Sequence, residues 1–158
     1  MKTIAFSAAV LVAALGGTAL AGKPAAAPSP QDLVNAREAA MTMSVAALSA
    51  VRAQSEKPSV KGAAFAAGGL ARWGKAIPAM FPASTKGIPG TEALPVIWAN
   101  RADFEAKAAA FAKAAEAMAA AAKADDKAAL TAAVETTAGA CKACHDTYRA
   151  PPPPRPAG

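Results

Sequence analysis

Both cysteines and the one histidine of this 158-residue chain fall within five consecutive residues near its end: Cys141, Lys142, Ala143, Cys144 and His145. On a helix, positions i, i+3 and i+4 share a face, so two sulfurs and an imidazole can address the same side of a flat ligand. C-x-x-C-H is the spacing of covalent c-type haem attachment. Each sulfur can add to one vinyl group of a porphyrin, while a nitrogen of His145 ligates the iron. Other uses of these residues fit less well. A thioredoxin-like redox pair comes with a βαβ pattern, which the chain lacks. Zinc takes four protein ligands in structural sites or three plus water in catalytic ones, against two cysteines and a single histidine here. The last alternative is a haem-free bundle with a Cys141–Cys144 disulfide.

A helix carrying haem needs walls, and the rest of the chain reads as helices. Residues 1–21 have the layout of a secretory signal: Lys2, an apolar core from Ile4 to Leu15, and a small-x-small site at Ala19-Leu20-Ala21. An uncleaved anchor is the alternative, weakened by a short apolar run that Ser7, Gly16, Gly17 and Thr18 interrupt. Nothing later is long and charge-free enough to span a bilayer. Export to the periplasm agrees with thiols that are spoken for in an oxidising compartment. What remains is one domain's worth, divided into a Pro/Ala-rich leader (22–30), a helical domain (31–150) and a Pro-rich tail (151–158). The net charge of +6 serves solubility first and an acidic protein partner second. No basic run interleaved with aromatics suggests nucleic acid.

Ser29, Pro30 and Asp32 predict a helix start, with Ser29 as N-cap and an acid at N3. The first helix is expected over 30–54, with a core face through Val34, Met41, Ser44, Leu48 and Val51. A second is expected from Pro58 or Ser59 to Met80, carrying Phe65, Leu70, Trp73 and Ile77, with Gly68-Gly69 weakening its middle. Residues 82–95 hold three prolines and two glycines and read as a long functional loop. A third helix is expected over 95–123, where Ile97, Phe104, Phe111 and Met118 recur at helical spacing. Asp125 or Asp126 caps a fourth that carries the haem motif and stops before Pro151. The fold class is therefore all-α: an antiparallel up-down four-helix bundle with covalently attached haem. Its alanine-lined helices leave core volume for a porphyrin to fill. Trp73 and Trp98 read as core, with Trp98 also able to reach a porphyrin edge.

Few residues follow His145, so a sixth iron ligand has to come from upstream or be absent. With no second histidine the candidates are Met41, Met43, Met80 and Met118. Met41 shares a helix face with Val34, Arg37, Val45 and Leu48, whereas Met43 points about 200° away. Met80 sits at a helix end, and Met118 keeps company with Phe111 and Ala115 as ordinary core.

These residues resemble the cytochrome c-prime family of bacterial periplasmic four-helix haem proteins, and most of all its low-spin cytochrome c-556 branch. The matching pieces are Cys141, Cys144 and His145 with Arg149 four residues on, QDLVNAREAAM (31–41), MFPASTKG (80–87), GTE (90–92) and IWANRADF (97–104). The resemblance implies haem c bound through Cys141 and Cys144, His145 as proximal ligand and a distal position at Met41. It also implies that Arg37 lies near a propionate, that Thr91 and Glu92 border the haem, and that Arg149 stands beside the proximal histidine. The bland readings make Arg37 and Arg149 solvated helix residues and Thr91 and Glu92 helix caps.

Two functions follow from the resemblance. One is a periplasmic electron carrier with six-coordinate iron and unidentified redox partner proteins. The other is a five-coordinate, high-spin protein that binds NO or CO for scavenging or sensing. Neither is an enzyme, since the only histidine is committed to the iron and no acid–base or nucleophile constellation surrounds another site. A monomer or homodimer, free of the membrane after signal cleavage, is expected.

Overall fold

Ser29 opens the first helix by reciprocal capping: its Oγ accepts from the Asp32 N–H at 3.1 Å, and the Asp32 carboxylate accepts from the Ser29 N–H at 2.9 Å. In this computed structural model, which describes residues 27–151, helix α1 runs from Pro30 to Ser55. The signal read at 1–21, and most of the leader and tail, lie outside the described residues. Helix α2 (Ala64–Ala76) is flanked by 3₁₀ turns at Lys61–Ala63 and Ile77–Met80. A four-residue α3 (Val96–Ala99) precedes the long α4 (Arg101–Lys123) and α5 (Lys127–Tyr148). Helices α1, α2, α4 and α5 form the bundle, with α4 packed against both α2 and α5. Among the described residues the only extended pairing is an isolated bridge between Ala93 and Arg149.

Two boundaries differ from the sequence reading. The second helix is shorter, because Pro58–Val60 is not helical and Pro78 removes an N–H that an α-helix would use, leaving a 3₁₀ turn. The expected third helix is broken at Asn100 (φ −120°, ψ 55°). Tertiary hydrogen bonds hold this kink: Arg101 donates to the carbonyls of Phe81 (2.9 Å) and Pro78 (2.7 Å). At the opposite end, Asp126 caps α5 by accepting from the Ala129 N–H at 2.9 Å. Asp125 is instead left-handed (φ 59°), with its carboxylate accepting from the Val60 N–H at 2.7 Å.

The core is long and small-grained. Ala67, Ala108, Ala115 and Ala122 are buried along the α2–α4–α5 seam, and an added Cβ on Gly74 would fall 2.8 Å from Ala112 Cα. Larger side chains gather at one end, where Phe104 meets Phe81 (5.0 Å between ring centroids) and Tyr148 (5.3 Å) in edge-to-face pairs. Each such aromatic, fully buried, contributes about 1.5–3 kcal/mol. This end stands next to the last turn of α5, and it is here that the bundle leaves space unfilled.

Candidate haem site

Cys141, Cys144 and His145 lie on α5 at i, i+3 and i+4, and all three border a cavity of about 310 Å³. A second cavity of about 380 Å³ adjoins it. Met41, Val45, Cys144, His145 and Arg149 belong to the walls of both. Helix α1 thus brings Met41 to the same cleft that α5 lines with the haem motif. The other methionines stand apart. Met43 is 72% exposed and Met118 fully buried in the core, and Met80 borders neither cavity.

Both cysteines are free and half-buried. Burial pushes both thiols up, an effect that the charge of Lys107 partly offsets at Cys144. Burial, followed by the charge of Arg149, lowers the pKa of His145, against the opposing pull of Glu92 and Asp146. The imidazole is therefore held neutral at neutral pH, the form that ligates iron.

Arg37 is not a solvated helix residue: it is 2% exposed. Its guanidinium donates to Thr91 Oγ1 (2.7 Å), Thr85 Oγ1 (3.0 Å) and the Met80 carbonyl (3.3 Å), and lies 4.3 Å over the Phe81 ring. All these partners are neutral, and the side chain borders the second cavity. Thr91 and Glu92 cap no helix either, since α3 begins at Val96 with Pro95 at its N-cap and no side-chain cap. Thr91 anchors Arg37. Glu92 is tied to the end of α5, its carbonyl accepting from the Ala150 N–H at 2.8 Å and its carboxylate 3.9 Å from Arg149. Arg149 follows α5 immediately, exposed, with its N–H on the His145 carbonyl at 3.1 Å.

The sequence reading missed part of the wall. Trp73 on α2 borders the first cavity together with Leu70 and Ile77, whereas Trp98 borders neither and donates to the carbonyls of Phe81 and Pro82. Lys107 reaches the first cavity from α4, and Thr85 became visible as a partner of Arg37 only in three dimensions. Spacing could group Leu70, Trp73 and Ile77 on one face, but not say that the face fronts a cleft.

The cleft fits a porphyrin on its own evidence. Its walls are mostly apolar, Val45 stands 68% exposed within it, and the buried Arg37 cation has no carboxylate among its hydrogen-bonding partners. A flat apolar plate edged with carboxylates would cover the first and complete the second.

A four-helix bundle that turns a C-x-x-C-H helix toward such a cleft defines a class, the four-helix c-type haem proteins. The chain belongs to the cytochrome c' family, whose model matches residues 32–149. It is 39% identical over 124 residues to the cytochrome c' of Pararhodospirillum photometricum, covering 77% of this chain and 98% of that one. It is also 43% identical over 75 residues to a cytochrome c-556 of Agrobacterium tumefaciens, covering 48% of this chain and 59% of the relative. Among solved structures, cytochrome c' from Thermochromatium tepidum superposes with a TM-score of 0.73 at 28% identity, over 80% of this chain and all of that one. A nitric oxide complex of a cytochrome c prime mutant from Alcaligenes xylosoxidans gives 0.70 at 28% identity, over 78% of this chain and 98% of that one. The family carries covalent haem c, and haem c with its iron is the cofactor of this chain. Among the described residues no helix is long and apolar enough to cross a membrane.

Proposed function

We propose that the chain is a periplasmic electron carrier, with haem c joined through thioether bonds to Cys141 and Cys144, His145 as proximal ligand and Met41 as distal ligand. The observation that carries this reading is the position of Met41: it borders both cavities, as His145 does, from a different helix. Haem c supplies a one-electron iron couple, whose potential depends on axial ligands, burial and nearby hydrogen bonds. The chain's own residues set those conditions. The Met41 thioether raises the potential relative to an imidazole. Leu48, Leu70, Ile77 and Phe111 form an apolar wall around it and exclude water. Arg37, already braced by Thr85 and Thr91, offers its charge to a haem carboxylate, while Arg149 and Glu92 border the His145 side. Export to the periplasm rests on the signal-like residues 1–21, and assembly is as a monomer or homodimer with redox partner proteins outside the chain.

A second reading, binding of NO or CO, is favoured by the nitric oxide complex among the structural neighbours and by the apolar character of that wall. The two readings meet at Met41. An incoming gas competes with the thioether, and an open form populated at ~1% would weaken apparent affinity ~100-fold, or ~2.7 kcal/mol. Electronic spectra of the holoprotein discriminate them. Met41→Ala is expected to convert the ferric haem from low to high spin and to speed carbon monoxide uptake by the ferrous form. A ferric spectrum unchanged by Met41→Ala refutes the distal assignment.

A further inference from the structure

We infer that Tyr148 is a second one-electron site in this protein, oxidised through the haem when hydrogen peroxide reacts there, with Asp103 as the acceptor of its phenolic proton. Tyr148 is the only tyrosine of the chain and is 2% exposed. It stands three residues after His145 and four after Cys144 on α5, spacings that put the three side chains on one helix face with about 5–6 Å between Cβ atoms. All three accordingly border the same cavity. An electron leaving the phenol has a path of one helix turn to a haem held by those two residues. The inference rests on the reading above, in which α5 carries the haem through Cys144 and His145.

A phenol gives up an electron readily only if its proton leaves too, because the oxidised phenol is a very strong acid. Here the proton has a receiver. The Tyr148 hydroxyl donates to Asp103 Oδ2 at 2.6 Å, within the range of bonds to an ionised acceptor. The Asp103 side chain is 44% exposed, so one carboxylate joins a buried hydroxyl to bulk water. Lys107 lies 3.6 Å from the same oxygen, and its charge favours onward release of the proton. Trp98, by contrast, donates to the carbonyls of Phe81 and Pro82, which are too weakly basic to take one. In the reaction the O–O bond of peroxide breaks, one oxygen leaving as water and the other staying with the iron, so that the haem is left two electrons short of the ferric state. Tyr148 returns one electron. Its O–H bond breaks, the proton passes to Asp103, and a neutral phenoxyl radical remains while the haem keeps the second deficit. Oxidising equivalents are thereby drawn off the porphyrin.

The test mixes hydrogen peroxide with ferric holoprotein carrying Met41→Ala, so that the distal side is open, and follows radicals by freeze-quench electron paramagnetic resonance. A tyrosyl signal is expected, narrowed when the protein is made with ring-deuterated tyrosine and lost when Tyr148→Phe is added. The isotope label needs no substitution at position 148, since the chain has one tyrosine. Asp103→Asn in the same background keeps an oxygen acceptor of similar size but no base, and is expected to slow the signal's appearance about 100-fold. A bond that serves packing alone would leave that rate unchanged. Formation is also expected to be slower in heavy water, a measurement that needs no change at Asp103. No tyrosyl signal, an indole signal in its place, an Asp103→Asn rate equal to the parent's, or equal rates in light and heavy water overturns the proposal. Failure of the underlying reading shows elsewhere, as a mature chain whose mass is that of its amino acids alone.

Discussion

Replacing Arg37 by methionine tests whether the cleft is held by a cation. The substitution keeps a long, unbranched stem and removes three charge-assisted hydrogen bonds, of 2.7, 3.0 and 3.3 Å, together with the contact over Phe81. Hydrogen bonds from a charged donor contribute about 1.5–3 kcal/mol each, and a desolvated cation–π contact up to about 2 kcal/mol. Against this stands the desolvation of a guanidinium that is 2% exposed, several kcal/mol on its own. The same desolvation lowers the pKa of Arg37, though the group stays charged at any ordinary pH. Thr85 keeps a partner in the Pro82 carbonyl, and Thr91 keeps the Ala93 N–H, so the Met80 carbonyl is the acceptor left exposed to loss. The net expectation is a destabilisation of about 2–4 kcal/mol for Arg37→Met. Arg37→Lys should lose about 1–3 kcal/mol, since a point charge cannot span Thr85 and Thr91 as a planar fork does. Guanidinium unfolding of the holoprotein, followed by far-ultraviolet circular dichroism and by the haem absorbance, measures both. Arg37→Met within about 0.5 kcal/mol of the parent refutes the argument, and Arg37→Lys equal to the parent shows that charge alone matters.

Further expectations are independent of haem. Gly74→Ala should destabilise by about 1–3 kcal/mol through overpacking against Ala112, whereas Gly69→Ala, which meets nothing within 4 Å, should stabilise by about 0.4–1 kcal/mol; equal thermal midpoints for the two variants would contradict the packing of α2 on α4. Tyr148, the only tyrosine, has its pKa pushed up to about 12 by burial and then by Asp103, whose carboxylate accepts from the phenol at 2.6 Å. The folded state favours the protonated phenol. Its stabilising share is therefore complete below the ordinary value near ~10 and disappears as pH climbs through about 12. Phenolate absorbance rising at pH ~10 in folded protein would show that this bond is not made. At the far end of the bundle, Asp125→Asn should lower the thermal midpoint less than Asp125→Ala, because Asn tolerates the left-handed backbone (φ 59°) and can still accept from Val60. An alanine variant as stable as the asparagine one would discount both effects.

Local chemistry made much of this architecture legible. Ser29 and Asp126 mark helix starts through caps that form as the sequence predicts, and the apolar spacing of Ile97, Phe104, Phe111 and Met118 corresponds to buried positions. The common face of Cys141, Cys144 and His145 is a property of the helix alone. What could not be read is set by contacts between distant segments. No proline or glycine announces the break at Asn100, which hydrogen bonds from Arg101 to the Phe81 and Pro78 carbonyls stabilise. Arg37 looked like any helix arginine, because its acceptors lie at residues 80, 85 and 91. Trp73 and Trp98 have similar sequence credentials, and only the path of the backbone at Phe81 and Pro82 gives one of them acceptors and leaves the other without.

The short clip between loop and last helix carries a consequence for how the molecule can be handled. Leu94 donates to the Tyr148 carbonyl at 3.0 Å and Ala150 to the Glu92 carbonyl at 2.8 Å. A helix terminus, usually the first part of a chain to fray, is here stitched to a segment of the cleft's own rim. Shortening the polypeptide past Ala150, or hanging a rigid fusion close behind it, would tug on Thr91 and through it on the Arg37 fork. Tags belong behind a slack spacer.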